Sequence, residues 1–294
     1  MHEIVVISGK GGTGKTSLTG AFAHLASNHI ICDLDVDAPD LHLLLKPENE
    51  TIEDFYSGNE ARIDQEKCLE CGLCQEMCRY QAVIPSGQGL YIDPLKCEGC
   101  KVCVHFCPEQ AIDFPEKYCG RWYVSRTRFG PMVHAALFPG EENSGRLVTL
   151  LRQKAREMAR EKGLDLILCD GAPGIGCPVI SSLAGTDLAV VVTEPTLSGL
   201  HDLERVVDLC AHFRIPVGII INKYDLNSDM SRNIEAYSAR HGFQVIAKLP
   251  YDELAIEAVV QGRVMTEYPD ADISKLLNRA WTDIIGLVKL KDAA

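Results

Sequence analysis

The sequence predicts an α/β fold, a mostly parallel sheet with helices on both faces, carrying a small inserted α+β domain. Three observations predict it. Apolar runs alternate with amphipathic stretches along most of the chain. A loop rich in glycine and lysine joins the first run to the first helical stretch. The alternation breaks once, between Ala61 and Lys117, where cysteines and short mixed segments replace the long apolar strands.

The elements follow in order. Ile4 to Ser8 is apolar on consecutive residues, as a strand covered on both faces is. A helix is expected from Lys15 to Ser27 and a second buried strand from His29 to Asp33. Beyond the cysteine block, strands are expected at Leu164 to Asp170, Leu188 to Thr193, Val217 to Asn222 and Phe243 to Leu249. Helices are expected at Ser144 to Lys162, Ser198 to Phe213, Ser228 to His241 and Ile273 to Leu290. The last of these puts Ile273, Leu276, Leu277, Ala280, Trp281, Ile284 and Val288 at helical spacing, a face for packing on the sheet rather than a membrane tail. The expected division is residues 1–60 with 118–294 as one domain and 61–117 as an insert.

Length and composition agree with this division. A chain of 294 residues, 46% of them hydrophobic, can close one full α/β core with a small insert. The formal charge of −12 argues against nucleic acid or an anionic membrane as partner. No basic, cleavable leader pattern precedes the first strand and nothing approaches a transmembrane run, so the thirteen cysteines are read as thiols of a reducing cytoplasm.

The loop Gly9-Lys10-Gly11-Gly12-Thr13-Gly14-Lys15-Thr16 satisfies G-x-x-x-x-G-K-S/T and lies between a strand and a helix. Gly11, Gly12, Thr13, Gly14, Lys15, Thr16 and Ser17 are the expected phosphate-binding residues. The glycines let backbone N–H groups converge on phosphate oxygens, and the helix N-terminus adds its positive end. Lys15 would reach the β- and γ-phosphates of ATP, and Thr16 would ligate Mg2+.

Lys10, a second lysine in the same loop, makes the sequence resemble the deviant Walker A ATPases, the family of MinD, ParA and the nitrogenase iron protein. The resemblance implies a P-loop NTPase fold and a dimer, of two copies or with a paralogue, that sandwiches ATP, Lys10 reaching the nucleotide of the other subunit. Two acidic motifs extend it. Asp33-Leu34-Asp35-Val36-Asp37-Ala38-Pro39-Asp40-Leu41 resembles switch I, with Asp35 implied to orient the attacking water and Asp37 a weaker candidate. Asp170, closing Leu166-Ile167-Leu168-Cys169, fits the Walker B position, and Gly171-Ala172-Pro173-Gly174-Ile175-Gly176-Cys177-Pro178 resembles switch II. Lys10, Lys15, Asp35 and Asp170 are thus the expected catalytic set. Asn222, in Ile221-Asn222-Lys223-Tyr224-Asp225, ends a strand where the family recognises adenine.

The cysteine block is a repeat. Arg62-Ile63-Asp64 through Lys67-Cys68 corresponds to Tyr91-Ile92-Asp93 through Lys96-Cys97, and Gln81-Ala82-Val83 corresponds to Gln110-Ala111-Ile112. Both quartets read C-x2-C-x2-C-x3-C, the bacterial ferredoxin spacing for two 4Fe-4S clusters in which the fourth cysteine of each run serves the other cluster. The expected ligands are Cys68, Cys71, Cys74 and Cys107 for one cluster, and Cys97, Cys100, Cys103 and Cys78 for the other. Zinc also takes four cysteines, but through paired C-x2-C knuckles rather than repeated triples. Arg79 stands where ferredoxins usually carry proline, which removes no ligand.

Of the remaining cysteines, Cys32, Cys169 and Cys210 lie in or beside apolar runs and are expected to be buried thiols. Cys177 has the spacing from Asp170 of an interfacial cluster ligand in the nitrogenase iron protein, and neither it nor Cys119 has an evident partner.

The expected function is ATP binding and hydrolysis coupled to electron transfer through two 4Fe-4S clusters to a redox partner. The alternative is an ATPase that assists assembly or delivery of a metallocluster to a target protein.

Overall fold

The computed structural model describes residues 1–87, 89–141 and 144–292. The chain runs β1 His2–Ser8, α1 Lys15–Leu25, β2 His29–Asp33, α2 Leu41–Leu45, β3 Glu48–Asn59 and β4 Arg62–Ile63. It continues through α3 Leu73–Met77, β5 Val83–Ser86, β6 Gly89–Ile92, α4 Val102–Phe106, β7 Ile112–Asp113, β8 Glu116–Thr127 and β9 Gly130–Leu137. Then come α5 Ser144–Lys162, β10 Leu166–Pro173, α6 Cys177–Leu183, β11 Leu188–Thr193 and α7 Leu197–His212. The last elements are β12 Val217–Asn222, α8 Ser228–Arg240, β13 Gln244–Leu249, α9 Leu254–Gln261 and α10 Asp272–Asp292. The described chain divides into two compact units. The first is 1–53, 121–137 and 144–294, and the second is 54–120 and 138–143.

The large sheet has the order β13-β12-β11-β1-β10-β2-β9-β8-β3. From β13 to β9 neighbouring strands pair in parallel. Strands β2 and β11 are buried at every position and β1 from Glu3 onward, which is why their sequences are apolar without alternation. One face is covered by α1, α2 and α10, whose Leu18, Phe22, Leu41, Leu277 and Ile284 join Ile4, Val6, Leu168 and Val190 in a single core. Phe22 stacks on Trp281 at 5.4 Å between ring centroids, and its truncation to alanine would cost about 3–5 kcal/mol. On α5, Leu147, Leu151, Ala155 and Ala159 are fully buried. Their spacing of four residues makes the stripe that a helix lays on a sheet.

Parallel register positions the functional groups. Val6 of β1 is level with Asp170 of β10, and Asp170 with Asp33 of β2. The segments after β1, β2 and β10 therefore leave the sheet together along one edge, where α/β folds collect their ligands.

Strands β3, β8 and β9 carry no strand signal in the sequence reading. β3 closes the sheet at one edge and is exposed from Glu48 to Asp54, so its residues are charged rather than apolar. Burial, the source of the apolar pattern, is missing there.

Unit 2 is built as two halves that exchange strands. β4 pairs antiparallel with β7, matching Ile63 to Ile112, and β6 pairs with β5, matching Ile92 to Val83. Each half's opening strand thus pairs with the closing strand of the other. The backbone repeats in detail: Asp64 N donates to Ala111 O and Asp93 N to Ala82 O, both at 2.8 Å. Left-handed residues occur at Glu70 and Gly99, Gly72 and Lys101, Gln81 and Gln110. A small core of Ala61, Cys74, Ala82, Val83, Leu90, Ile92 and Ile112 lies between the halves.

Candidate functional site

The phosphate loop of unit 1 is shaped by two glycines at positive φ, Gly12 at 81° and Gly14 at 88°. Gly14 is fixed twice over, because a side chain there would also meet Asn222 Nδ2 at 2.6 Å. Asn222 Nδ2 in turn donates to Thr13 O at 2.8 Å, tying the end of β12 to the loop. No side chain caps α1 at Gly14, which leaves its first-turn N–H groups for an anion.

Lys15 is the centre of the site. Its buried Nζ lies 3.0 Å from Asp170 Oδ1, 3.5 Å from Asp35 Oδ2 and 3.3 Å from Thr16 Oγ1. Thr16 donates to Asp170 Oδ2 at 2.7 Å and Thr19, one helical turn on from Lys15, to Asp170 Oδ1 at 2.9 Å. Asp35 N donates to Asp33 Oδ1 at 3.1 Å, which folds the segment after β2 back on itself.

The charges are unequal in number, and this sets their behaviour. Burial would depress the Lys15 ammonium, but Asp170, Asp35 and Asp33 around it outweigh burial and raise it. Burial raises the Asp35 carboxyl against the pull of Lys15. Asp33, fully buried and facing Asp170, is pushed well above the usual carboxylate range. Two buried polar atoms here, Asp33 Oδ2 and Thr13 Oγ1, have no hydrogen-bond partner among the described residues. An anion and a hard cation bound here would meet donors and acceptors already aimed inward.

Beside the loop, Gly14, Ser17, Leu18, Asn222, Tyr251, Asp252, Ala255 and Ile256 line a mainly apolar cavity of about 900 Å³ of space outside protein atoms, including the part open to solvent. An apolar cleft beside a phosphate loop, with Asn222 and Asp252 as polar groups, suits a flat heteroaromatic base.

In unit 2 the eight cysteines of the two runs line two separate cavities. One is lined by Cys68, Cys71, Cys74 and Cys107, the other by Cys97, Cys100, Cys103 and Cys78. By the same measure each holds about 370 Å³. The strand exchange between halves is what carries Cys78 and Cys107 across. Ala82 N donates to Cys78 Sγ and Ala111 N to Cys107 Sγ, both at 3.3 Å. All thirteen cysteines are free thiols. Among the described residues, no three His, Cys, Asp or Glu side chains stand close enough to share one metal ion.

Cys32, Cys169 and Cys210 are fully buried in unit 1. Cys119 is buried in unit 2 and directs its thiol to Ser57 O at 3.2 Å, while Cys177 is exposed at the start of α6. At the rim of the loop, Glu194 lies 2.5 Å from Lys223 Nζ through Oε1 and 3.6 Å from Lys10 Nζ through Oε2. The sequence alone points to neither Thr19 nor Glu194: Thr19 is legible only as the residue four after Lys15 on one helix face, and Glu194 as an acid just past the end of β11, like Asp33 at the end of β2.

The model of the CobQ/CobB/MinD/ParA nucleotide binding domain matches residues 4–265. The chain belongs to this family. An uncharacterized protein of Methanocaldococcus jannaschii is 30% identical over 254 residues, covering 85% of this chain and 84% of that protein. A second from the same organism is 27% identical over 275 residues, covering 92% and 93%. The solved cell division ATPase MinD of Pyrococcus furiosus superposes with a TM-score of 0.59 at 18% identity, covering 97% of this chain and 99% of that one. The septum site-determining protein MinD of Pyrococcus horikoshii, complexed with Mg-ADP, gives 0.58 at 17%, covering 99% and 98%. At these identities the superpositions show the shared α/β fold. Among the described residues no helix is long and apolar enough to cross a membrane.

Proposed function

We propose that this member of the family binds and hydrolyses Mg-ATP in unit 1 and couples nucleotide state to electron transfer through two 4Fe-4S clusters held in unit 2. The observation that carries the second half is the partition of eight thiols into two four-cysteine cavities, each drawing one cysteine from the other run. Thiolates are the ligands that iron–sulfur clusters take, and a cube presents one iron to each of four sulfurs, a wider arrangement than ligands crowded on a single ion. When bound, such clusters supply one-electron storage at low potential.

In unit 1, Lys15 exchanges carboxylate partners for phosphate oxygens, and the N–H groups of Gly12 to Thr16 cradle the rest. Thr16 Oγ1 offers itself to Mg2+, with Asp170 behind it as acceptor. Asp35, once Lys15 turns to phosphate, is free to hold and orient a water for in-line attack. Lys10 reaches a nucleotide in a second copy or a paralogue, as the family resemblance implies. The segment holding Asp35 and Asp37 runs on through α2 and β3 toward the cysteine repeat, so displacement of these acids on loss of the γ-phosphate propagates along the chain.

The test is anaerobic. Reduced protein should pass electrons to a one-electron acceptor dye at rates that differ among ATP, ADP and no nucleotide. Equal rates in all three states would end the coupling.

A further inference from the structure

The two cysteine cavities of unit 2 match in most respects. Both enclose about 370 Å³, and each has one cysteine sulfur that accepts a backbone N–H at 3.3 Å, from Ala82 at Cys78 and from Ala111 at Cys107. An ion pair precedes each run, Lys67 with Asp64 and Lys96 with Asp93. One acid lies between the first two cysteines of each run, Glu70 beside Leu69 in the first and Glu98 in the second. These features largely cancel.

Other positions related by the repeat do not cancel. Lys101, on the wall of the Cys97 cavity, corresponds to Gly72 on the wall of the Cys68 cavity. Both residues are left-handed, Gly72 at φ 78° and Lys101 at φ 65°, each just before a short helix. One half of the repeat meets that backbone demand with glycine, and a lysine in the other works against it. The Lys101 Nζ lies 5.6 Å from the centre of the Phe114 ring, another wall of the same cavity, which keeps the ammonium beside the thiols. Glu109 lines the Cys68 cavity, whereas its counterpart Tyr80 lines the Cys97 cavity. Arg79 follows Cys78, and Pro108 follows Cys107. Each of these differences leaves the Cys97 cavity the more positive. Burial differs too, because Cys74 is buried and its counterpart Cys103 is half-buried.

An electron added to a thiolate-bound cluster makes it more negative, so a cation beside it raises the reduction potential, and an anion or deeper burial lowers it. We propose that the two cavities hold clusters of unequal potential, Lys101 keeping the cluster of Cys97, Cys100, Cys103 and Cys78 the higher and Glu109 keeping that of Cys68, Cys71, Cys74 and Cys107 the lower. The proposal rests on the reading of unit 2 as a two-cluster site. One electron from an external one-electron donor reduces one cluster, and at equilibrium that electron resides in the Cys97 cavity. The Cys68 cavity fills second and holds the stronger reductant. Flow between them runs downhill toward Lys101.

Anaerobic titration of the full chain with dithionite and mediator dyes, followed by electron paramagnetic resonance of the reduced clusters, tests it. Two one-electron waves should appear. Lys101→Gly, which suits the left-handed backbone as Gly72 does, should lower the upper wave by about threefold in equilibrium constant, roughly 28 mV at 59 mV per tenfold. Lys101→Arg, which keeps the charge, should leave that wave in place. Glu109→Gln should raise the lower wave by about the same factor, and it carries the test if Lys101→Gly does not retain its clusters. In Cys103→Ala the surviving wave should be the lower one. Coincident waves, or two waves that neither Lys101→Gly nor Glu109→Gln moves, overturn the proposal and leave the cluster reading standing. A lower wave that follows Lys101 overturns the assignment of the two cavities. Protein lacking iron and acid-labile sulfide overturns the cluster reading and the proposal with it.

Discussion

In unit 1 the charged groups stand on helix α1, within β10 and just past β2, elements already locked into a closed core in which Phe22, Leu18, Ile4 and Val190 are fully or almost fully buried. In unit 2 the eight thiols surround two cavities within a core made of Ala61, Cys74, Ala82, Val83, Leu90, Ile92 and Ile112. The first unit can hold its site without a ligand, because Lys15, Asp170 and Asp35 satisfy one another. The second rests on a core of only a few side chains beside its two cysteine cavities, as a small unit does. The difference teaches that a nucleotide site can sit on a finished fold, whereas on the proposed function the clusters of unit 2 would take part in its folding.

The largest effects should separate the units cleanly. Removal of iron by an anaerobic chelator should release the amides of Ala82 and Ala111, now bonded to Cys78 and Cys107, to fast hydrogen exchange. The amides of β1 and β10 should stay protected. Equal loss of protection in both units would break the comparison.

Lys15→Ala is the reciprocal experiment. It removes the cation that Asp170 and Asp35 share and that would meet the phosphates, so Mg-ATP affinity should fall by roughly two orders of magnitude while iron content stays unchanged. Normal ATP turnover by this variant would place the active site elsewhere.

Cys103→Ala should sharpen the division inside unit 2, removing about four of about eight irons and leaving Mg-ATP binding intact. Full iron content in the purified variant would refute the assignment of Cys103 as a ligand.

A further effect concerns unit 1 alone. Burial lowers His29 and His134 from the ordinary 6.5 to about 4, and His29 Nε2 has no hydrogen-bond partner among the described residues. Below pH 6.5 the unfolded chain takes up protons that the folded chain refuses. Stability is therefore full above that pH and falls as pH drops toward 4, by at most roughly 3 kcal/mol per histidine. Both tryptophans, Trp122 and Trp281, belong to unit 1, so denaturation followed by their fluorescence at pH 7.5 and 5.0 reads it directly. A midpoint that does not move would mean these imidazoles are not held neutral.

Much of this was legible in the residues. The buried strands of the parallel sheet announced themselves because burial on both faces demands apolar residues in succession, as in β11, where Leu188 to Val192 carries no polar side chain. The loop glycines and the repeated cysteine spacing were legible for a related reason: a backbone turn at positive φ and a run of thiols each leave few residue types to choose from.

Chain sequence by itself determined the parallel core, the glycine-rich loop after β1 and the internal duplication, since each is a local demand on side-chain type. Only the tertiary structure decided that β3, β8 and β9 extend the sheet, that Thr19 joins Asp170, and that Glu194 faces Lys10 and Lys223. Those outcomes depend on which strands become neighbours and at what register. Pairing between residues far apart in the chain leaves no periodic trace in either partner.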